Sequence, residues 1–279
     1  MTANILFDDL VRATLREDLG LAGDVTTDAI VPATLTASAA LVARKPGVVA
    51  GLDVAVHACR LLDPDISVKI EHRDGAKVAA SETIATFTGN ARALLTAERT
   101  ALNFLCHLSG IATATSQLCT VISGHKARIV CTRKTTPGLR ALEKNAVRLG
   151  GGGNHRFGLD DAVLIKDNHI AIAGGIRPAV EKARNHAGHL TKIEVEVDTL
   201  AQLEEVLALE VDVVLLDNMS PATLSEAVKM IDGRCLAEAS GNVTRETVAA
   251  IAASGVDLIS VGWLTHSAPA LDIGLDFVA

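Results

Sequence analysis

The sequence predicts an α/β protein: an N-terminal α+β layer followed by a β/α-repeat region that approaches a barrel. Three observations predict it. From about residue 126, apolar β-branched runs alternate with helical stretches, the pattern of a parallel sheet. Six such runs within roughly 140 residues are more than a small open sheet holds, which points to an incomplete barrel. The first hundred residues instead carry short strand-like runs with few helices.

Taken in order, Phe7–Leu19 reads as a helix with Leu10, Val11, Thr14 and Leu15 on one side. Strands are expected at Ala37–Ala43, Val48–Ala50, Ile66–Glu71 and Thr83–Thr88, with a tight turn at Arg73-Asp74-Gly75. Thr96 can cap a helix that continues through Leu108, its apolar side marked by Ala97, Ala101, Leu105 and Leu108. On that helix Arg99, Asn103 and His107 recur every four residues and form a polar stripe, facing solvent or else a cavity or partner. The repeat region then offers strands at Ile129–Thr132, Ala162–Ile165, Ile193–Val197, Val211–Leu216, Cys235–Ala239 and Leu258–Val261. Helical periodicity separates them, as in Leu200–Leu209 and Pro221–Ile231.

Composition removes several function classes. The 279 residues are 49% hydrophobic with 2% aromatic and a net charge of −7, a poor match to the basic, aromatic surfaces that bind nucleic acid. Disorder is excluded by the same hydrophobicity. The five cysteines are scattered, odd in number and form no C-x-x-C pair, so they read as reduced thiols of a cytoplasmic protein. The N-terminal MTANILFDDL has two acids and no basic stretch, so no signal peptide is expected. Thr100–Gly124 carries no Asp, Glu, Lys or Arg, yet it holds Asn103, His107, Ser109 and Gln117. It reads as a helix buried against protein, its own chain or another subunit, and not as a membrane span.

Chemistry gathers where the repeats end. Arg133 and Lys134 follow the first run and Lys166 the second; Glu196 lies near the end of the third. Asp217, Ser240-Gly241 and Gly262 close the fourth, fifth and sixth. In a β/α barrel all these strand ends open onto one mouth, where active sites lie. Each residue alone could equally be a cap or a solvated loop residue; their joint placement carries the weight. Residues 126–156 hold eight bases against Glu143, a local +7 that leaves −14 on the rest of the chain. Such a cluster in an acidic protein suits a small anion, which Arg133 and Arg156 would grip through the planar guanidinium fork. Lys126, Arg128, Lys144 and Arg148 are expected on outer, solvated helices.

Gly150 to Gly153 form a glycine tract before Asn154, His155 and Arg156, either a hinge or a loop letting backbone approach a ligand. It matches neither G-x-G-x-x-G nor a Walker sequence. Ser240-Gly241-Asn242 and Val261-Gly262 resemble the late turns that hold phosphate on backbone N–H groups. Glu196 and Asp217 could share a Mg²⁺, while His186 and His189 lack a third ligand.

The run Thr132-Arg133-Lys134-Thr135-Thr136-Pro137-Gly138-Leu139-Arg140 resembles a signature of the quinolinate phosphoribosyltransferase family. So does the stretch from Gly151 through Asn154-His155-Arg156 to Leu164-Ile165-Lys166-Asp167-Asn168-His169. Glu98–Asn103, Glu194-Val195-Glu196, Leu216-Asp217-Asn218, Glu238–Gly241, Leu264–Ser267, Gly23–Thr27 and Lys45-Pro46-Gly47 also fit. Asn145 stands where an aromatic is expected, and Trp263 replaces a smaller residue near the phosphate end.

The resemblance implies an N-terminal α/β sandwich in residues 1–111 and an open seven-stranded α/β barrel in 112–270. Residues 271–279 would pack back on the first domain. It implies a homodimer in which Arg99 is lent to the neighbouring site. Quinolinate would be held by Arg133, His155, Arg156 and that Arg99, with Lys134 nearby. Lys166 would face the leaving pyrophosphate, and Glu196 and Asp217 the ribose hydroxyls and Mg²⁺. The 5′-phosphate would lie at Ser240, Gly241 and Gly262, with His266 a further candidate, and Thr132, Asn242 and Val261 would be among the substrate-binding residues. Lys134, Lys166, Glu196 and Asp217 would carry the catalysis. Four rival readings remain: a nicotinate phosphoribosyltransferase, a molybdenum-transport-associated relative, a barrel aldolase with Lys166 as Schiff base, and a non-catalytic phosphometabolite sensor.

Overall fold

The computed structural model describes residues 7–278, so most of the N-terminal stretch read for a signal peptide lies outside the described residues. Contacts gather the chain into two units. One comprises residues 7–116, 136–151 and 267–278; the other comprises 117–135 and 152–266. Each is discontinuous along the chain.

The first unit opens with α1 (Asp8–Leu19) and α2 (Val25–Ile30), the latter capped by the Asp24 carboxylate, which accepts from Thr27 N at 2.9 Å. Next come β1 (Thr36–Ala43), β2 (Gly47–Val48), α3 (Leu52–Leu62), β3 (Ser67–Ile70), β4 (Lys77–Val78) and β5 (Thr83–Asn90). The turn at Arg73-Asp74-Gly75 has Gly75 at φ 89°, and Asp74 accepts from the N–H groups of Gly51 and Leu52 at the start of α3.

The long helix α4 (Ala91–Val121) begins six residues earlier than the sequence reading placed it and runs for 31 residues. Asn90 is the reason: its Oδ1 accepts from Arg92 N and Ala93 N at 2.9 and 3.2 Å, satisfying two otherwise open donors at the helix start before the expected cap at Thr96. Thr96 is instead inside the helix, its hydroxyl donating to Asp24. Most of the uncharged stretch lies on α4, with Ala101, Leu105, Leu108, Ile111, Ala112 and Leu118 buried. Among the described residues no helix is long and apolar enough to cross a membrane.

A second helix of this unit, α5 (Arg140–Leu149), packs its end closely on α4: a Cβ at Gly150 would lie 2.3 Å from Ala112 O. This contact, rather than a hinge, explains the first glycine of the tract. Lys144 corrects the sequence reading, being 1% exposed on α5 and not solvated. Glu143, fully buried beside it, accepts from Thr136 N at 3.0 Å and bonds His107 Nε2 at 2.8 Å. Asn145, on the same helix, borders a small cavity with Leu108 and Asp74.

The second unit alternates as the sequence predicts. Its strands are β6 (Arg128–Val130), β7 (Val163–Ile165), β8 (Ile193–Val197), β9 (Val213–Asp217), β10 (Leu236–Ser240) and β11 (Leu258–Ser260). Helices α6 (Asp167–Ala173), α7 (Ile176–His186), α8 (Leu200–Leu207), α9 (Pro221–Ile231) and α10 (Val248–Ala253) intervene. Caps explain the sharp starts: Thr199 and Gln202 form a capping box on α8, and Ser220 precedes Pro221 on α9.

The strand order β6-β11-β10-β9-β8-β7, with every pairing resolved there parallel, joins the last strand to the first. Six strands pair, and the seventh position is reduced to one parallel bridge between Gly153 and Val130 on the free edge of β6. The ring stays open between Gly153 and β7. In the first unit, β12 (Ile273–Val278) pairs antiparallel with β1 in a sheet of order β12-β1-β5-β3.

Candidate active site

Strand periodicity builds the site. Side chains alternate faces, so Glu194 and Glu196 on β8, Leu215 and Asp217 on β9, and Glu238 and Ser240 on β10 share the inward face. At the C-terminal strand ends all of these except Glu194 border a cavity of about 830 Å³. It is lined by Thr132, Arg133, Lys134, His155, Arg156, Lys166, Glu196 and Asp217, with Ser240, Gly241, Asn242, Val261, Gly262 and His266. All belong to the second unit. Arg99 is not among them; it is exposed on α4 in the first unit. Of the basic cluster, Arg133, Lys134 and Arg156 reach this cavity, while Lys126 pairs with Asp257 at 2.5 Å.

Arg133 and Arg156 define one end. Arg156 Nη1 donates to Ala162 O at 3.1 Å. Its loop is braced by Asp161, which accepts from Phe157 N and Gly158 N. Burial holds the Arg156 guanidinium below the usual arginine range, and the charge of Arg133 beside it pushes the same way; Glu194 and Asp161 oppose them. The Nε atoms of Arg133 and Arg156 are both buried without a hydrogen-bond partner. Two neighbouring cations with unmet donors make this end of the cavity strongly positive.

The middle and far end are polar. Lys166 Nζ is ion-paired with Glu196, an engagement unlike the free amine a Schiff-base lysine presents. Asp217 accepts from Asn218 Nδ2 at 2.6 Å. Lys134 is anchored through its backbone, its N–H donating to Thr132 Oγ1 and its carbonyl accepting from Thr265 Oγ1. The late turns need small residues. At Gly241 (φ 96°) a Cβ would lie 2.1 Å from Asn218 Oδ1, and at Gly262 it would lie 3.0 Å from Lys134 Cδ. Trp263 lines the same end and donates from Nε1 to Val243 O at 2.8 Å, tying the two turns together.

The sequence reading gave no role to Glu194 and Glu238. Their signal was present: each lies two residues before a predicted site residue on a strand, hence on the same face. Glu238 is 1% exposed, and burial together with the Glu194 charge pushes its carboxyl up to about 7, against the opposing pull of His155 and Ser260. A carboxyl raised in the folded state binds its proton more tightly there than when unfolded. Its neutral form is therefore compatible with the fold, and stability is lost as pH climbs from the ordinary glutamate value of 4.5 through about 7. Glu238→Gln removes this loss. Relative to the parent, the variant should gain stability between pH 4.5 and pH 8, read from denaturant midpoints at the two pH values.

An open parallel barrel with cations, carboxylates and glycine turns around one mouth defines an enzyme class: a transferase for small, multiply anionic substrates. The chain matches the family models described as quinolinate phosphoribosyl transferase, N-terminal domain, over residues 24–109 and C-terminal domain over 111–276. It is 47% identical over 276 residues to the nicotinate-nucleotide pyrophosphorylase [carboxylating] of Mycobacterium leprae, covering 96% of each chain. It is 41% identical to a quinolinate phosphoribosyltransferase [decarboxylating] of Nicotiana tabacum, covering 95% of this chain and 80% of that one. The structure of the nicotinate-nucleotide pyrophosphorylase from Francisella tularensis superposes with a TM-score of 0.95 at 41% identity, over 100% of this chain and 98% of that one. The chain belongs to the quinolinate phosphoribosyltransferase family.

Proposed function

We infer that the protein transfers the phosphoribosyl group of 5-phosphoribosyl 1-pyrophosphate to quinolinate, with loss of CO₂, giving nicotinate mononucleotide and pyrophosphate. The observation that carries this is the pair of adjacent guanidiniums, Arg133 and Arg156, each with a buried, unmet Nε. Quinolinate bears two neighbouring carboxylates and fits such a pair; nicotinate bears one and would leave a cation unpaired. The names carboxylating and decarboxylating describe the two directions of one reaction.

Arg133 and Arg156 orient the pyridine ring by its carboxylates, with Lys134 and His155 at the border of that subsite. The ring nitrogen then approaches C1′ of the ribose as the C1′–O bond to pyrophosphate breaks. Lys166 neutralises the leaving pyrophosphate, and Glu196 and Asp217 stabilise the positive charge developing on the ribose. Ser240, Gly241, Asn242, Gly262 and His266 hold the 5′-phosphate. After transfer, the C2–carboxylate bond breaks and its electron pair stays on C2, stabilised by the adjacent quaternary nitrogen. A solvent proton completes the product, so no protein base is required. Catalysis is then mainly positioning and charge.

The paired carboxylates suit a hard divalent cation. Glu196 and Asp217 would hold Mg²⁺, which when bound supplies charge neutralisation to the pyrophosphate. We further infer a cytoplasmic homodimer in which Arg99 completes the neighbouring site. If so, Arg99→Ala and Arg133→Ala homodimers should each be nearly inactive, while mixing and reassembling them should restore about a quarter of the parent activity. No recovery from mixtures shown to exchange subunits would remove Arg99 from that role. Substrate choice is tested by mass spectrometry of products. Quinolinate should yield nicotinate mononucleotide, and equimolar nicotinate should yield none; efficient use of nicotinate would overturn the reading.

A further inference from the structure

His155 lies at the border of the dicarboxylate subsite, yet both of its ring nitrogens are engaged inward. Nδ1 lies 2.7 Å from the backbone N of Arg156. A backbone N–H can only donate, so Nδ1 is the acceptor and carries no proton. Nε2 therefore bears the hydrogen of a neutral ring and donates it to Glu194 Oε2 at 2.8 Å. An imidazolium would set two donors against each other at Nδ1, beside two guanidiniums that already repel. Behind the pair stands Glu238, its Oε1 3.7 Å from His155 Nε2. Glu194 and Glu238 are 6% and 1% exposed.

We propose that His155 is a positioning residue and not a ligand of the substrate: anchored by Glu194 on β8, with Glu238 of β10 behind it, its neutral ring holds the Arg156 backbone and so aims the Arg156 guanidinium beside Arg133. The Oε1 atoms of Glu194 and Glu238 are buried without a hydrogen-bond partner. His155, Glu194 and Glu238 each offer one ligand atom within 4.8 Å of the others, the composition of a metal site. A proton on Nε2 removes the nitrogen lone pair that a metal needs, so the geometry favours the positioning role.

The proposal rests on the reading of Arg133 and Arg156 as the dicarboxylate subsite, and its test separates the two. Full-length protein labelled with ¹⁵N-histidine is examined by long-range ¹H–¹⁵N correlation at pH 7, the His155 resonances being assigned by their loss in His155→Gln. Without substrate, Nε2 should be protonated and Nδ1 not, and saturating quinolinate should leave that pattern unchanged. A protonated Nδ1, an imidazolium, a change of protonation with quinolinate, or stoichiometric zinc in the purified protein would overturn it. The substrate-free spectrum does not depend on what the enzyme turns over.

The kinetic arm does depend on it. Glu194→Ala should raise KM for quinolinate on the order of tenfold or more while leaving KM for 5-phosphoribosyl 1-pyrophosphate within about twofold, since a small misaiming is costly. Glu194→Gln keeps an acceptor for Nε2 and should recover most of that loss. An unchanged quinolinate KM in Glu194→Ala, or no recovery in a folded Glu194→Gln, would contradict the anchor.

Discussion

Arg156→Ala should weaken quinolinate binding by about 2–5 kcal/mol, roughly thirtyfold to several thousandfold, while affinity for 5-phosphoribosyl 1-pyrophosphate stays nearly constant. The magnitude follows from what the variant leaves behind: a substrate carboxylate desolvated in the cavity with no cation to meet it. The structure adds a second, opposite sign. Without substrate, Arg156 and Arg133 repel in a partly buried setting, and both Nε atoms lack partners. Removing one guanidinium relieves that repulsion, so the substrate-free variant should melt no lower than the parent. Separate titration of each substrate, with thermal melts of the free protein, reads both effects. Equal losses for the two substrates would contradict the assignment of the arginines to the dicarboxylate end.

Lys166→Ala should lower kcat by about two to three orders of magnitude, with KM for quinolinate changed little. Lys166 stands just after β7, and its ammonium is the cation paired with Glu196 on β8. Without it, the pyrophosphate departs with less compensating charge, and Glu196 loses its counter-ion in a half-buried setting. Steady-state kinetics with each substrate varied in turn measures the split. A turnover number close to the parent's would show that Lys166 does not act on the leaving group. Lys166→Arg retains the charge but spreads it over a rigid planar fork, so partial recovery is expected.

Much of the site was legible because a β/α barrel turns strand ends into a single mouth. Arg133, Lys166, Glu196 and Asp217 all follow or end strand-like runs, and that placement alone brings them to one mouth. Interior carboxyls were harder. Glu194 and Glu238 lie within apolar runs, where the surrounding Val, Leu and Ala advertise burial and hide the charge. Their spacing from Glu196 and Ser240 was the available signal. Lys144 failed in the reverse sense: lysine on an amphipathic helix normally faces water, yet this one is only 1% exposed. The start of α4 was misplaced because Thr96 and Asn90 are both good caps, and only the bonds that Asn90 makes to Arg92 and Ala93 decide between them. No residue run could announce the seventh barrel position, since a single bridge at Gly153 has no periodicity to read.

The central claim is that adjacent cations select a dicarboxylate that loses CO₂ after transfer. The most direct test is release of ¹⁴CO₂ from quinolinate labelled on its 2-carboxylate, with 5-phosphoribosyl 1-pyrophosphate and Mg²⁺ present or withheld. Release that requires both additions, stoichiometric with nicotinate mononucleotide, is the expected result. Folded protein that binds both substrates yet releases no label, or releases it without the phosphoribosyl donor, would contradict the account.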